Sequence, residues 1–281
     1  MSGFGAFLEA REIWQDPLLA AVIAGALLGF LGVYVVLRRT VFVSAALTQL
    51  STLGLIAAIV TEERLGVAVE RPSVQLAVAV LFSVTGALLL GRLHAGRRLP
   101  AEAGVGMAWV LAGAAAILAS SRFVHAAHDM DAMVFGNAVA VPLGDLLALA
   151  GLAAVVLAPH LLFTKELVFV AFDGETARAM GMPAGLWNGV LYATLGLAIP
   201  PAARAIGALP TFALLTLPAS AALLLAGRLP RIFALAAALG AVAAAAGYFL
   251  SWTIQLPTGA TMVAVAGLFL VPGGVAALLR R

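Results

Sequence analysis

The chain is 281 residues long with a formal net charge of +3, and it is 63% hydrophobic and 10% charged. A soluble domain carries about 25% charged residues to cover its water-facing surface, so this composition excludes a soluble globular protein. The absence of cysteine excludes disulfides and thiolate metal sites. The basic residues lie in short gaps between apolar runs, which indicates membrane orientation and excludes nucleic-acid binding as their purpose.

Nine apolar segments follow one another along the chain, each near the roughly 20 residues that a helix needs to cross the hydrocarbon core. An acidic leader precedes the first segment, unlike the basic leader of a secretory signal, so we expect that segment to be retained. The pattern predicts an all-α, polytopic transmembrane helical bundle. The predicted spans are Pro17–Leu37, Val41–Val60, Ser73–Leu90, Glu102–Ser120, Pro142–Phe163, Leu186–Ala203, Leu209–Ala226, Arg231–Trp252 and Ala260–Leu279.

Two of these segments contain prolines. Leu186–Ala203 ends in Pro200-Pro201, and Leu209–Ala226 contains Pro210 and Pro218. Either could be a broken or re-entrant helix, which is tolerated only inside protein or along a cavity. The sequence therefore predicts eight or nine spans.

The distribution of Lys and Arg predicts the orientation. One set of gaps holds eleven of these residues and the opposite set holds five. The positive-inside rule places the richer set in the cytoplasm, with the N-terminus outside and the C-terminus inside the cell (inner) membrane. The cytoplasmic set is Arg38, Arg39, Arg92, Arg97, Arg98, Lys165, Arg178, Arg228, Arg231, Arg280 and Arg281; the outer set is Arg11, Arg64, Arg71, Arg122 and Arg204.

No domain boundary interrupts the chain, so residues 1–281 are predicted to form a single integral membrane domain. Every gap is short, and no phosphate-binding glycine loop or other nucleotide motif is present. We expect no catalytic residues and no bound cofactor.

The segment Phe172–Pro183 has the signals of a short, self-contained helix on the cytoplasmic side. Asp173 is a suitable N-cap, and Glu175 and Arg178 match the helix dipole. Gly181 can take the left-handed conformation that ends a helix. The helix is also expected to have a small apolar face, made of Phe172, Ala177 and Met180. Such a helix could lie on the membrane surface or dock into a partner, and its residues alone favour neither role strongly.

This segment, Phe-Asp-Gly-Glu-Thr-Ala-Arg-Ala-Met-Gly-Met-Pro, resembles the F-D-P-E-x-A-x-A-x-G-x-P loop of the ABC permeases that import zinc, manganese and iron (ABC-3 type). Four further stretches resemble the same family, in the same order along nearly the whole chain. They are Leu37-Arg38-Arg39, Met133–Asn137 (MVFGN), Gly207–Ala219 (GALPTFALLTLPA) and Gln255–Gly259 (QLPTG).

The resemblance implies a type II importer-like permease that works by alternating access and carries a divalent metal ion, zinc or manganese. It implies cytoplasmic ATP-binding subunits, an extracytoplasmic substrate-binding protein and a second copy of this chain as partners. Residues 172–182 are then the coupling helix, with Phe172, Asp173, Glu175, Arg178 and Gly181 as the ATPase-coupling residues.

The second span departs from the family pattern. Family members usually carry D-A-x-S-H there, which puts a carboxylate and an imidazole one turn apart, a workable pair for Zn²⁺ or Mn²⁺. Here the matching positions are Ala45 and Gln49. Two outcomes stay open: metal passes through weaker oxygen contacts, or the substrate of this permease is not a bare divalent cation.

The same span carries a polar stripe. Ser44, Thr48, Ser51 and Thr52 fall within about 100° of one another on a helix, with Gln49 beside them. Intramembrane polar clusters often line a substrate pathway, whereas hydroxyls that bond back to the helix only support packing. The residues of the stripe leave both interpretations open.

Two histidines and two carboxylates occur within seven residues on the predicted outer side: His125, His128, Asp129 and Asp131. His125 and His128 would share a face of a helix, a spacing that suits a metal ion. A hydrated loop is the favoured interpretation, because a metal site normally needs three or more fixed ligands.

Two other functional classes fit the sequence less well than an ABC permease does. An ion-coupled secondary transporter favours charged residues at mid-membrane depth, and Glu102, Asp145 and Arg231 all lie near span ends. An intramembrane enzyme needs a nucleophile–base pair or an embedded metal, and no histidine lies deep in a predicted span.

Overall fold

The computed structural model describes residues 11–65, 72–93, 100–121 and 141–279. Over these ranges the chain is helical and contains no strand, which confirms the predicted all-α class. The helices are α1 (Arg11–Leu37), α2 (Phe42–Leu65), α3 (Pro72–Leu93), α4 (Ala101–Ser120), α5 (Leu143–Leu162), α6 (Thr164–Phe172), α7 (Gly174–Ala179), α8 (Ala184–Ile206), α9 (Ala208–Leu225), α10 (Leu229–Ile254), α11 (Thr258–Leu268) and α12 (Leu270–Leu279).

Nine helical segments within the described ranges are long and apolar enough to cross a membrane. They coincide with the nine predicted spans to within a few residues. Both proline-containing segments are continuous helices, α8 and α9, so neither is broken. Pro200, Pro201 and Pro218 are buried, where neighbouring groups can satisfy the backbone atoms that they interrupt.

The predicted helix Ala260–Leu279 is instead interrupted. Helix α11 ends at Leu268 and α12 begins at Leu270, with Phe269 between them. The cause is Pro272, which has no N–H to donate to the carbonyl of Leu268 and whose ring clashes with that carbonyl. The last turn of α11 tightens, and the N–H of Phe269 bonds to Ala266 at 3.3 Å.

The described chain divides into two compact units. The first comprises α1 up to Val36, the start of α5 up to Ala153, and the chain from Ala202 onward. In this unit α9 packs against α10, α11 and α12. Gly25 and Gly29 of α1 lie against the backbone of α10, a close approach that small residues permit between membrane helices.

Replacing Gly29 with leucine is expected to destabilise the protein by about 1–3 kcal/mol or more, as overpacking does in a filled core. A Cβ at Gly29 would overlap the backbone carbonyl of Ala236, which cannot rotate away as a side chain could. Thermal unfolding of the purified protein in detergent measures the effect. Gly151→Leu is the matched control, because a Cβ there meets open space, and equal stability of the two variants would contradict the packing argument.

The second unit runs from Leu37 through α2, α3 and α4, and includes Ala154–Pro201. Helix α2 packs against both α3 and α4. Gly54 of α2 lies against Phe82 of α3, and Gly196 of α8 lies against the backbone of α3 at Val84. This unit therefore holds both the polar stripe of α2 and the short helix α7.

Candidate functional site

The short helix α7 begins at a side-chain cap. The N–H of Thr176 donates to the Asp173 carboxylate at 2.9 Å, and the Thr176 hydroxyl donates to the same group at 2.5 Å. These hydrogen bonds, led by the one from the hydroxyl, lower the pKa of Asp173. Since a depressed carboxyl pKa keeps the group charged until the pH falls through it, the cap is intact at neutral pH. The predicted N-cap is confirmed.

The end of α7 is equally well defined. Gly181 has a φ of 81°, the left-handed conformation that glycine adopts without steric cost. The N–H of Met182 donates to Ala177 and the N–H of Gly181 donates to Arg178, both at 3.0 Å. This is a Schellman motif. The Arg178 side chain reaches back to the Gly174 carbonyl at 3.2 Å, so it braces its own helix.

The predicted apolar face of α7, made of Phe172, Ala177 and Met180, is wrong as a single face. Ala177 is fully buried, whereas Phe172 is 75% and Met180 70% exposed. The reason is that Phe172 ends the preceding helix and Met180 follows the last turn of α7. Ala177 therefore anchors α7 in the protein, whereas Phe172 and Met180 are exposed at its two ends.

Helix α6 was not predicted from the sequence. Its buried residues Leu167, Val170 and Ala171 have the i, i+3, i+4 spacing that could have revealed it. Val170 packs with Ala177 of α7 and Ala184 of α8 in one buried cluster, and Trp187 packs against that cluster. The pair α6–α7 is therefore seated on the first turns of α8.

Three hydroxyls of the α2 stripe bond back to their own helix. Ser44 donates to the Val41 carbonyl at 2.8 Å, Thr48 to Ala45 at 2.7 Å, and Thr52 to Thr48 at 3.0 Å. All three side chains are buried. Each of these hydrogen bonds uses the hydroxyl proton within the helix but leaves lone pairs on the hydroxyl oxygen. The bonds therefore fit both packing and a pathway, and the pathway role of the stripe stays a prediction.

The other two polar residues of the stripe differ. Ser51 is buried, and its Oγ has no hydrogen-bond partner within the described part of the chain. Gln49 is half-buried and points to α4, where a Cβ on Gly113 would lie 3.3 Å from its Oε1. Gln49 thus lies against a neighbouring helix, and Ser51 differs from the other three hydroxyls of the stripe because its proton is not donated to a described residue.

No group of three or more His, Cys, Asp or Glu side chains that could hold a metal ion occurs among the described residues. The predicted candidates His125, His128, Asp129 and Asp131 lie outside those residues, as does the motif Met133–Asn137. His160 is buried in α5, with Nδ1 2.8 Å from the Val156 carbonyl.

An ion pair in the first unit was missed from the sequence. Arg204 Nε lies 3.0 Å from Asp145 Oδ2, with both side chains partly buried. Asp145 is in the first turn of α5 and Arg204 in the last turn of α8. The pair therefore shows that these two helix ends lie together at one end of that unit.

The motif Gln255–Gly259 borders a cavity of about 390 Å³ in the first unit. Ser251 Oγ donates to the Leu256 carbonyl at 2.6 Å and lies 2.8 Å from the Thr258 hydroxyl. Gln255 has a φ of 53° and ends α10 in the left-handed conformation. The cavity is lined by Tyr248, Ser251, Trp252, Gln255 and Thr258.

The sequence model of one protein family, the ABC 3 transport family, matches residues 10–276. The manganese transport system membrane protein MntC of Halalkalibacterium halodurans is 28% identical over 252 residues, which cover 90% of this chain and 83% of that protein. The manganese import system permease protein ScaB of Streptococcus gordonii is 25% identical over 258 residues, which cover 92% and 89%.

A solved structure has the same fold. The chain matches PsaBC from Streptococcus pneumoniae, determined in complex with Fab, with a TM-score of 0.82 and 23% sequence identity. The match covers 96% of this chain and 95% of that chain. It confirms the predicted polytopic, permease-like helical fold.

Proposed function

This chain belongs to the ABC 3 transport family, and on that basis we propose that it is the membrane permease of an ATP-driven importer for a divalent metal ion. The family match over nearly the whole chain carries the proposal. Manganese is the metal named for the relatives MntC and ScaB, and we propose it as the first substrate to test, with zinc second. The chain is a transport subunit, and ATP hydrolysis is proposed to occur on a partner.

The test is reconstitution of the chain into lipid vesicles with its proposed ATPase and binding-protein partners. Manganese uptake that requires both ATP and the loaded binding protein is the expected result. Uptake that proceeds without ATP and follows an ion gradient would instead support the secondary transporter.

We propose α7 as the element that docks the ATPase. Its caps at both ends keep so short a helix formed, and buried Ala177 fastens it to α6 and α8. Exposed Phe172 and Met180 offer apolar surface to a partner, with the charged Glu175 between them. If α7 were instead an interfacial helix lying on the membrane, Phe172 and Met180 would contact lipid.

The mechanism that we propose is alternating access. ATP-driven closure of two ATPase subunits moves the two α7 helices of a homodimer, and the pathway between the permeases changes the side that it faces. The extracytoplasmic binding protein delivers the substrate on the other side. The polar stripe of α2 is our proposed pathway surface, with residues Ser44, Thr48, Gln49, Ser51 and Thr52.

The proposed orientation puts α7 in the cytoplasm and the end of α10 outside. The chain has no cysteine, so single cysteines report accessibility directly. We expect Leu256→Cys to react with a membrane-impermeant thiol reagent in intact cells, and Met180→Cys to react only after the membrane is opened. Both side chains are exposed, which makes them matched probes, and labelling of position 180 in intact cells would reverse the topology.

A further inference from the structure

Arg38 is held by the helix that follows the proposed coupling element. Its Nη1 donates to Asn188 Oδ1, and its guanidinium carbon lies 5.6 Å from the centre of the Tyr192 ring. Residues 188 and 192 are one helical turn apart, so both contacts come from one face of α8. Arg38 is half-buried and Tyr192 is buried, which strengthens both interactions relative to exposed ones.

The same part of α8 is fixed to α7. Ala184 packs on Ala177, and Trp187 joins this cluster and also contacts Phe163 with ring centres 5.0 Å apart. Asn188 follows Trp187 directly in the sequence. Asn188 therefore lies within about one helical turn of the α8 residues that pack on α7.

On its other side, Arg38 is tied by a short stretch of backbone to the start of α2. The Thr40 carbonyl accepts from the N–H of Val43 at 3.0 Å, and α2 begins at Phe42. The stripe from Ser44 to Thr52 occupies the first three turns of that helix. At 1.5 Å per residue its far end is only about 15 Å from the helix start, so a rigid shift of that start would displace the whole stripe.

The guanidinium has neutral partners. Among the described residues the ion pair found is Arg204–Asp145, and none involves Arg38. An amide oxygen and an aromatic face hold a cation without the desolvation of a second charge, so the contact can slide or re-form at smaller cost than a buried ion pair.

We propose that Arg38 is a positioning residue that makes the start of α2 follow the movement of α7. The inference rests on the proposed permease function and adds to it a connection between α7 and the start of α2 within the second unit. Arg38 passes the motion from α8 to the residues preceding α2, and it contacts neither the ATPase nor the substrate.

The first test compares Arg38→Gln with Arg39→Gln in the assembled complex. Both remove one basic charge at adjacent positions, but Arg39 is exposed. We expect Arg38→Gln to keep the ATPase bound while uptake per ATP hydrolysed falls about tenfold or more, the range set by a hydrogen bond to a charged group. Arg39→Gln should stay within about twofold of wild type, as surface changes usually do.

A double-mutant cycle assigns the effect to the Arg38–Asn188 contact. Asn188→Ala should lower uptake per ATP as Arg38→Gln does, and the combined variant should lose no more than the larger single loss. Arg38→Lys keeps the charge and should recover part of the activity. Additive losses, or Arg38→Gln with wild-type uptake per ATP, would overturn the proposal. Asn188→Ala also serves if Arg38→Gln fails to assemble.

A distance measurement separates this proposal from the permease function itself. Spin labels at Ala179→Cys and Phe42→Cys, both exposed positions in the second unit, should show a narrow distance distribution that is unchanged by ATP. Arg38→Gln should broaden that distribution, and Arg39→Gln should not. A wild-type distribution as broad as that of Arg38→Gln refutes the connection, whether or not the complex transports metal.

Discussion

Replacing Phe172 and Met180 together with aspartate is expected to release the ATPase from the permease and to abolish ATP-driven uptake. Burying an exposed Phe or Met side chain contributes about 1.5–3 kcal/mol, so losing two of them weakens association on the order of a hundredfold or more. The backbone of α7 should survive, because neither side chain belongs to its buried cluster. Co-purification of the ATPase with the permease, and uptake into vesicles, are the two measurements.

The control for this experiment is Leu256→Asp, which places a carboxylate on an exposed apolar residue that the proposed topology puts outside the cell. It should leave ATPase association unchanged. Normal association of the Phe172/Met180 variant would contradict docking through α7 and favour the interfacial role.

A variant that removes Glu175 and Arg178 together is also expected to abolish transport. It distinguishes less well between loss of ATPase docking and loss of the helix itself. Arg178 bonds to the Gly174 carbonyl, so its loss weakens α7 itself as well as any contact with a partner. Asp173→Asn tests the charge at the N-cap alone, because asparagine caps a helix about as well as aspartate does. We expect this variant to keep both the helix and ATPase association.

Much of the fold could be predicted because lipid restricts what a chain can do. A bilayer core demands about 20 apolar residues per helix and internal satisfaction of every backbone group. The same requirement keeps α8 and α9 helical through their prolines, although local rules predict a break there. The caps of α7 could be predicted for a different reason: they are formed by residues that lie close together in the sequence.

The contacts that arise from tertiary packing could not be predicted. Arg38 and Asn188 are 150 residues apart in the chain, and Asp145 and Arg204 are 59 apart. Each residue looks like an ordinary polar residue near a span end, and no periodicity relates it to its partner. The face of α7 was predicted wrongly because three apolar residues were assigned to one short helix, while two of them belong to its neighbours in the chain.

The second large effect is expected from substitutions beside the polar stripe of α2, which should change metal binding. Restoring Ala45→Asp together with Gln49→His places a carboxylate and an imidazole one turn apart on α2. Position 45 is half-buried, and position 49 faces α4 beside Gly113, which has no side chain to obstruct an imidazole. The backbone carbonyl of residue 45 still accepts from Thr48, so the helix itself should not change.

We expect the double variant to bind manganese and zinc at least about tenfold more tightly than the wild-type permease, since even outer-shell ligand partners are worth 10–100-fold in metal affinity. Uptake should become slower, because conduction needs sites weak enough to release the ion. The matched control is Ala45→Asn with Gln49→His, which has the same shape without the carboxylate charge. Equilibrium metal binding to the purified permease and metal uptake in the reconstituted complex are both measured.

The wild-type protein in the same assay decides between the two substrates that the sequence leaves open. Uptake of manganese or zinc by the wild type means that neutral oxygens, with Thr48, Gln49 and Ser51 as the candidates, hand the ion along without a charged ligand at positions 45 and 49. Ser51 is the most informative of these, because its buried hydroxyl has no hydrogen-bond partner among the described residues. If the wild type moves neither metal while its ATPase still responds to the loaded binding protein, the bare-metal substrate is wrong, and the chain is a permease of this family for a different substrate.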